Sequence, residues 1–174
     1  MGSATGFSPR TDAAIRPGYQ SDVPEINRVL LVLSKGESEL TSPTTFVAEV
    51  AGRIQGCAAI YSGYGYGWLA NVAVEKAQRR TGLGRRLVVA CLERALDREL
   101  PEVWLETMFW NRRFYEKLGF EFVPISSVPA YLSRRRRNPK CLMMRASLRA
   151  EIIARRKTPS PAMPARASVS LEPV

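Results

Sequence analysis

The chain has 174 residues and a mass of 19.4 kDa, 45% apolar and 24% charged, which fits one globular domain able to bury a core without a disulfide or metal staple. Its longest apolar run, Leu87 to Leu92, is six residues long, far short of the roughly 20 that a membrane-spanning helix needs, and no apolar stretch opens the chain as a secretory signal would. Histidine is absent, so imidazole is excluded as base, metal ligand or triad member; the net charge of +10 sits mostly in residues 134–157, with ten Lys/Arg and one acid.

Residues 1–12 are rich in Gly, Ser and Thr and read as a frayed end. Ala13 to Pro17 reads as a short first strand. Asp22 with Glu25 three residues later marks a helix start, and Val23, Ile26, Leu30 and Leu33 carry the helix to about Lys35, with Gly36 ending it. Thr44 to Ser62 reads as a hairpin turning at Ala51-Gly52-Arg53. Gly63, Gly65 and Gly67 loosen the next connection, and Tyr61, Tyr64 and Tyr66 around them either cover the sheet edge or shape a pocket. Trp68 to Val74 is a mostly apolar strand suited to a central position.

Gly82-Leu83-Gly84 opens a helix with an apolar stripe of Leu87, Val88, Cys91, Leu92, Ala95 and Leu96, stopped by Pro101. Val103 to Thr107 is a strand, on which Trp104 shares a face with Glu102 and Glu106. Asn111 to Lys117 is a short helix with Gly119 as its left-handed terminator. Phe120 to Val123 and Cys141 to Arg145 are the last strands. Thr158 onward, with four prolines in 17 residues, reads as disordered. The expected organisation is one mixed α/β domain over 13–149, a sheet of six or seven strands flanked by helices, then a basic, Pro/Ala/Ser-rich tail over 150–174. Cys57, Cys91 and Cys141 are widely spaced and lack a C-x-x-C pair; they fit a reducing, cytoplasmic compartment, with no metal site and no membrane partner expected.

The stretch that carries chemistry is Ala70-Asn71-Val72-Ala73-Val74-Glu75-Lys76-Ala77-Gln78-Arg79-Arg80-Thr81-Gly82-Leu83-Gly84-Arg85-Arg86. A strand, a basic turn and Arg79-x-x-Gly82-x-Gly84 lead into a helix. Free N–H groups at a helix start favour phosphate oxygens, glycines admit close approach, and arginines add fixed positive charge. The P-loop and Rossmann patterns do not fit it.

Some 30 residues on comes Asn111-Arg112-Arg113-Phe114-Tyr115-Glu116-Lys117-Leu118-Gly119-Phe120. In this order the two motifs resemble the GNAT superfamily of acyl-CoA-dependent N-acyltransferases, and the resemblance extends over roughly Ile15 to Leu148. It implies a central sheet whose strands splay apart to admit acetyl-CoA as co-substrate. The pyrophosphate would lie on Arg79, Arg80, Thr81, Gly82, Gly84 and Arg85. The pantetheine arm would pair with the backbone of Val72, Ala73 and Val74, where an N–H polarises the thioester carbonyl. Tyr115 matches the family tyrosine that protonates the departing thiolate. The family asparagine usually precedes that tyrosine by about two helical turns; Met108 is near that position here, and Asn111, the candidate cofactor contact, is only four residues before Tyr115. Either the helix is a turn shorter or Asn111 is displaced.

A base must deprotonate the ammonium substrate, and without histidine a carboxylate or a water chain is required. Glu106 is the first candidate, with Glu75 and Glu49 behind it. The expected function is acetyl transfer to a primary amine of a small molecule or peptide, by direct attack in a ternary complex. The rivals are a non-catalytic acyl-CoA-binding module and a nucleic-acid-associated protein using the basic segment, which otherwise is solvated surface. The short stretch between the first helix and Phe46 points to an open acceptor side and a bulky or peptide amine.

Overall fold

The computed structural model describes residues 13–32, 45–134 and 138–157, without the side chains of 153 and 155–157. Seven strands form one sheet: β1 (Ala14–Pro17), β2 (Thr45–Val50), β3 (Arg53–Gly63), β4 (Tyr66–Val74), β5 (Glu102–Thr107), β6 (Glu121–Val123) and β7 (Leu142–Ser147), in the order β1-β2-β3-β4-β5-β7-β6. Neighbours are antiparallel except β4 and β5, which run parallel. The helices are α1 (Val23–Val32), α2 (Leu83–Asp97), α3 (Arg112–Glu116), α4 (Ala130–Ser133) and α5 (Arg149–Lys157).

Two tight turns build the antiparallel half. Ala51-Gly52 joins β2 to β3 and Tyr64-Gly65 joins β3 to β4, with all four residues at positive φ, the pattern that matches the twist of paired strands. The connection expected to be loosened by glycines is therefore a two-residue turn, and β4 begins at Tyr66. Gly67 sits inside the strand because an added Cβ there would meet Ile60 and Val103 at 3.0 and 3.1 Å.

The sheet is covered on both faces. Leu83, Leu87, Val88, Cys91 and Ala95 of α2 pack on Phe46, Ala48, Ala58, Ile60, Leu69, Val103 and Leu105 to form the main core. On the opposite face Ile26, Val29 and Leu30 of α1 pack on Val47, Ile54, Cys57 and Ala73, while Trp104, Met143, Val123 and Tyr66 lie under Val128 and Leu132. Trp104 is thus a packing residue, and its indole N–H donates to Glu102 at 3.1 Å. Glu99, left-handed at φ 52°, ends α2 before Pro101 is reached.

The end of the domain differs from expectation. Residues 149–157 form α5, with Ile152 buried in the main core, so residues 150–157, assigned to the tail, are helical instead. Ile152 and Leu148 supply the apolar face that the basic composition of this segment masks. Three short 3-10 turns (76–78, 109–111 and 125–127) and α4 are further elements that the sequence pattern did not announce. Residues 33–44, which include the end assigned to the first helix and the stretch read as an open acceptor side, lie outside the described residues, as do 1–12, 135–137 and 158–174.

Candidate active site between the parting strands

The parallel contact between β4 and β5 is short. Gly67, Trp68 and Leu69 pair with Val103, Trp104 and Leu105, and there the ladder stops. Beyond Leu69, β4 pairs with β3 alone, and beyond Leu105, β5 pairs with β7 alone. The sheet opens between Ala70–Val74 and Glu106–Thr107. A bulge lies at the start of the opening: Ala58 of β3 stands opposite both Asn71 and Val72, and Asn71 takes a left-handed φ of 53°. Bulges bend and re-aim a strand, and asparagine tolerates this conformation better than most residues. An Asn in an apolar strand was the available signal for it. Gly56, opposite Val74, keeps the β3 backbone close: a Cβ there would fall 2.9 Å from the Ala73 carbonyl oxygen.

Val72, Ala73 and Val74 line the β4 side of the opening. After Val74 the chain makes its 3-10 turn and reverses into α2 through left-handed conformations at Arg80 (φ 64°) and Gly82 (φ 92°). Gly82 is the N-cap and provides no side-chain cap; the first bond into the helix runs from the Arg86 N–H to the Gly82 carbonyl at 3.1 Å. The N–H groups of Leu83, Gly84 and Arg85 precede that bond, the condition under which a helix start receives an anion. A Cβ on Gly84 would lie 3.6 Å from Val74 and 3.5 Å from the Phe114 ring, so the helix mouth, the strand end and α3 meet at Gly84. Phe114 is a part of this junction that sequence reasoning passed over.

The other basic-turn residues divide. Arg79 folds back so that its Nε donates to the Val74 carbonyl at 3.3 Å; Arg80 is exposed; the Thr81 hydroxyl donates to the Gln78 carbonyl at 2.7 Å. Arg85 lines a groove with Ile15, Phe46, Arg86, Val89, Ala90 and Glu93 on the flank of α2 away from Phe114, so its side chain is not brought to the opening. Asn111 is the exposed N-cap of α3 and makes no side-chain cap bond. α3 has five residues, so Asn111 at its N-cap stands about one helical turn before Tyr115.

Tyr115 is 8% exposed and belongs to the main core on the α2 side. Gly119, left-handed at φ 85°, turns the chain so that the Phe120 N–H donates to the Tyr115 carbonyl at 3.2 Å. The Tyr115 ring is thereby held between Phe114 and Phe120, both edge-on, with centroids 4.9 and 5.8 Å away. Burial drives the phenol pKa above its ordinary value, Cys91 adds to the rise, and Thr107 opposes it.

The three candidate bases are also sorted. Glu49 accepts from Arg16 at 2.9 Å at the β1–β2 edge, and Glu75 is paired with Arg28. Glu106 lies at the opening on the sheet face opposite Tyr115, half-buried, and accepts the Asn138 N–H at 2.9 Å. Among the surface aromatics, Tyr64 and Trp110 are exposed, Trp110 edge-on to Phe109 at 5.0 Å, whereas Tyr66 is core.

The opened sheet, the uncapped helix mouth and the buried tyrosine can now be set beside known proteins. The sequence model described as acetyltransferase (GNAT) family matches residues 14–120. The chain belongs to the GNAT acetyltransferase family. No curated protein matches it. Solved structures share the GNAT fold. N-acetylglutamate synthase from Neisseria gonorrhoeae, complexed with coenzyme A and N-acetyl-glutamate, superposes with a TM-score of 0.69 at 18% identity over 78% of this chain and 35% of its own. The ribosomal-protein-S18-alanine N-acetyltransferase of Escherichia coli gives 0.58 at 20% identity over 78% of this chain and 93% of its own. Arabidopsis thaliana Naa50, in complex with a bisubstrate analogue of coenzyme A and a peptide, gives 0.60 at 16% identity over 78% and 98%. The chain thus spans about a third of the gonococcal synthase and nearly all of the other two. Among the described residues no helix is long and apolar enough to cross a membrane.

Proposed function

We propose that the protein is an N-acetyltransferase carrying the acetyl group of acetyl-CoA to a primary amine of a small molecule or peptide. The observation that carries this reading is the half of β4, Ala70–Val74, that has β3 but not β5 beside it and ends next to the uncapped start of α2 in a GNAT family member. The diphosphate of acetyl-CoA binds the N–H groups at Gly82–Arg85, with Arg79, Arg80 and Thr81 around it and Asn111 on the α3 side. The pantetheine amides bond along the backbone of Val72, Ala73 and Val74 on the side facing the opening, as an added strand would, and an N–H near Val74 polarises the thioester carbonyl.

The amine nitrogen attacks the carbonyl carbon directly. Its proton leaves to Glu106, alone or through water, and the sulfur departs from the tetrahedral intermediate taking the Tyr115 phenolic proton. The two groups sit on opposite faces of the sheet, which suits an amine and a thioester meeting from opposite sides. The three free cysteines fit a reducing, cytoplasmic compartment. Incubating the protein with acetyl-CoA and a panel of amines and peptides, with free thiol read by colour and product by mass, is expected to show one acetyl group gained by an acceptor. Coenzyme A binding with no turnover across the panel would leave a binding module instead.

A further inference from the structure

The chain enters β7 through Asn138-Pro139-Lys140-Cys141. Asparagine in first place and proline in second suit a tight turn: proline presets its own φ and biases the residue before it toward extended backbone. The structure closes this turn twice. The Cys141 N–H donates to the Asn138 carbonyl at 3.0 Å, and the Lys140 N–H donates to Asn138 Oδ1 at 2.9 Å. Asn138 is thus fixed through both its backbone and its side chain, although it is exposed.

The turn is also joined to β5. Leu142 pairs with Thr107, and one residue further out the Cys141 thiol donates to the Met108 sulfur at 3.3 Å. From this frame the Asn138 N–H donates to Glu106 Oε1 at 2.9 Å. Glu106 is the first β5 residue beyond the pairing with β4, and it shares with Trp104 the face away from the main core.

We propose that Asn138 is a positioning residue for Glu106: the closed turn holds its N–H against one carboxylate oxygen and so fixes the orientation in which the carboxylate meets the acceptor amine. This rests on Glu106 as proton acceptor in the function proposed above. The need is geometric. A glutamate at a strand end, half in water, has several rotamers open to it, whereas a base works only with its oxygen about 2.6–3.2 Å from the atom that loses the proton. The turn is made on folding, so the orientation is set before the amine arrives. As the bond from nitrogen to the acyl carbon forms, the proton lost by nitrogen passes to the Glu106 carboxylate and later to solvent. The Asn138 N–H keeps its own proton throughout.

The test compares Asn138→Ala, which removes the side-chain closure of the turn, with Asn138→Ser, whose hydroxyl can restore it. N138A is expected to lower kcat by about tenfold with KM for acetyl-CoA unchanged, and N138S to recover part of the loss. In Glu106→Gln protein the N138A change is expected to have no further effect on rate, which a general loosening of the loop would not produce. A readout that needs no turnover is the Asn138 backbone amide in 15N-asparagine-labelled protein, assigned by its loss in N138A. In E106Q its proton should move upfield and exchange faster, because the charged acceptor is gone. A wild-type kcat in N138A, an equal loss in N138S, a further loss when N138A is added to E106Q, or an unmoved Asn138 amide in E106Q overturns the assignment while leaving acetyl transfer intact. Wild-type protein that acetylates no amine, or E106Q protein as fast as wild type, removes the parent reading, and this assignment with it.

Discussion

The two halves of β4 come from one strand and behave oppositely. From Tyr66 to Leu69 it is bonded on both sides and its large side chains are core or packed against it; from Ala70 to Val74 it is bonded on one side and its residues are small or medium. The first half stabilises the fold. The second has no β5 neighbour where the strands part, the position at which another extended chain can add to a sheet. The lesson is that a strand reading as central from its apolar composition can be central for only half its length.

Substitutions that respect this division sharpen it. The largest effect is expected at the opening: Tyr115→Phe should reduce kcat by about a hundredfold to ten-thousandfold, the range for general acid catalysis, with acetyl-CoA affinity by calorimetry unchanged. The raised phenol pKa keeps Tyr115 protonated through its ordinary titration near pH 10, so wild-type turnover should show no fall there from loss of this proton. At the closed end, Leu105→Ala removes a 2%-exposed side chain from the main core and should cost about 2–5 kcal/mol in urea unfolding. An effect of that change on acetyl-CoA binding with stability intact would break the division.

Smaller effects follow. Gly82→Ala forces a Cβ onto φ 92°, which should cost about 1 kcal/mol of stability or more and weaken acetyl-CoA binding, because the strain falls on the helix mouth. The smallest lies far from the opening. The Arg16 hydrogen bond, helped by the Tyr19 N–H and opposed by burial, holds the Asp22 pKa below its ordinary value. A depressed carboxylate stabilises the fold above its unfolded value, near 3.9, and loses that contribution as pH falls through the lower folded value. Acid unfolding of Asp22→Asn should accordingly be shallower below pH 4 than that of the wild type, with acetyl-CoA binding at neutral pH unaffected.

Much of this was legible in the sequence because single residues dictated it. Gly82-Leu83-Gly84 placed the start of α2, Gly119 placed the end of α3, and the apolar stripe from Leu87 to Ala95 named the core face. The opening itself was expected only through the family resemblance, since nothing local in Trp68 to Val74 says which partner a strand keeps. Tyr64-Gly65 was read as a loose link because Gly63, Gly65 and Gly67 cluster there, yet with both turn residues at positive φ the strand twist favours a tight turn. α5 was obscured because its short apolar stretch is set among arginines and followed by Arg155, Arg156 and Lys157.

The most direct measurement is amide NMR of 15N-labelled protein during acetyl-CoA titration. The account predicts that the resonances of Val72, Ala73, Val74, Gly82 and Gly84 shift and that the Val72–Val74 amides gain protection from exchange, while Gly67, Trp68 and Leu69 stay in place. Acetyl-CoA binding that moves the closed half of β4 and leaves Val72–Val74 untouched, or no binding at all, would contradict it.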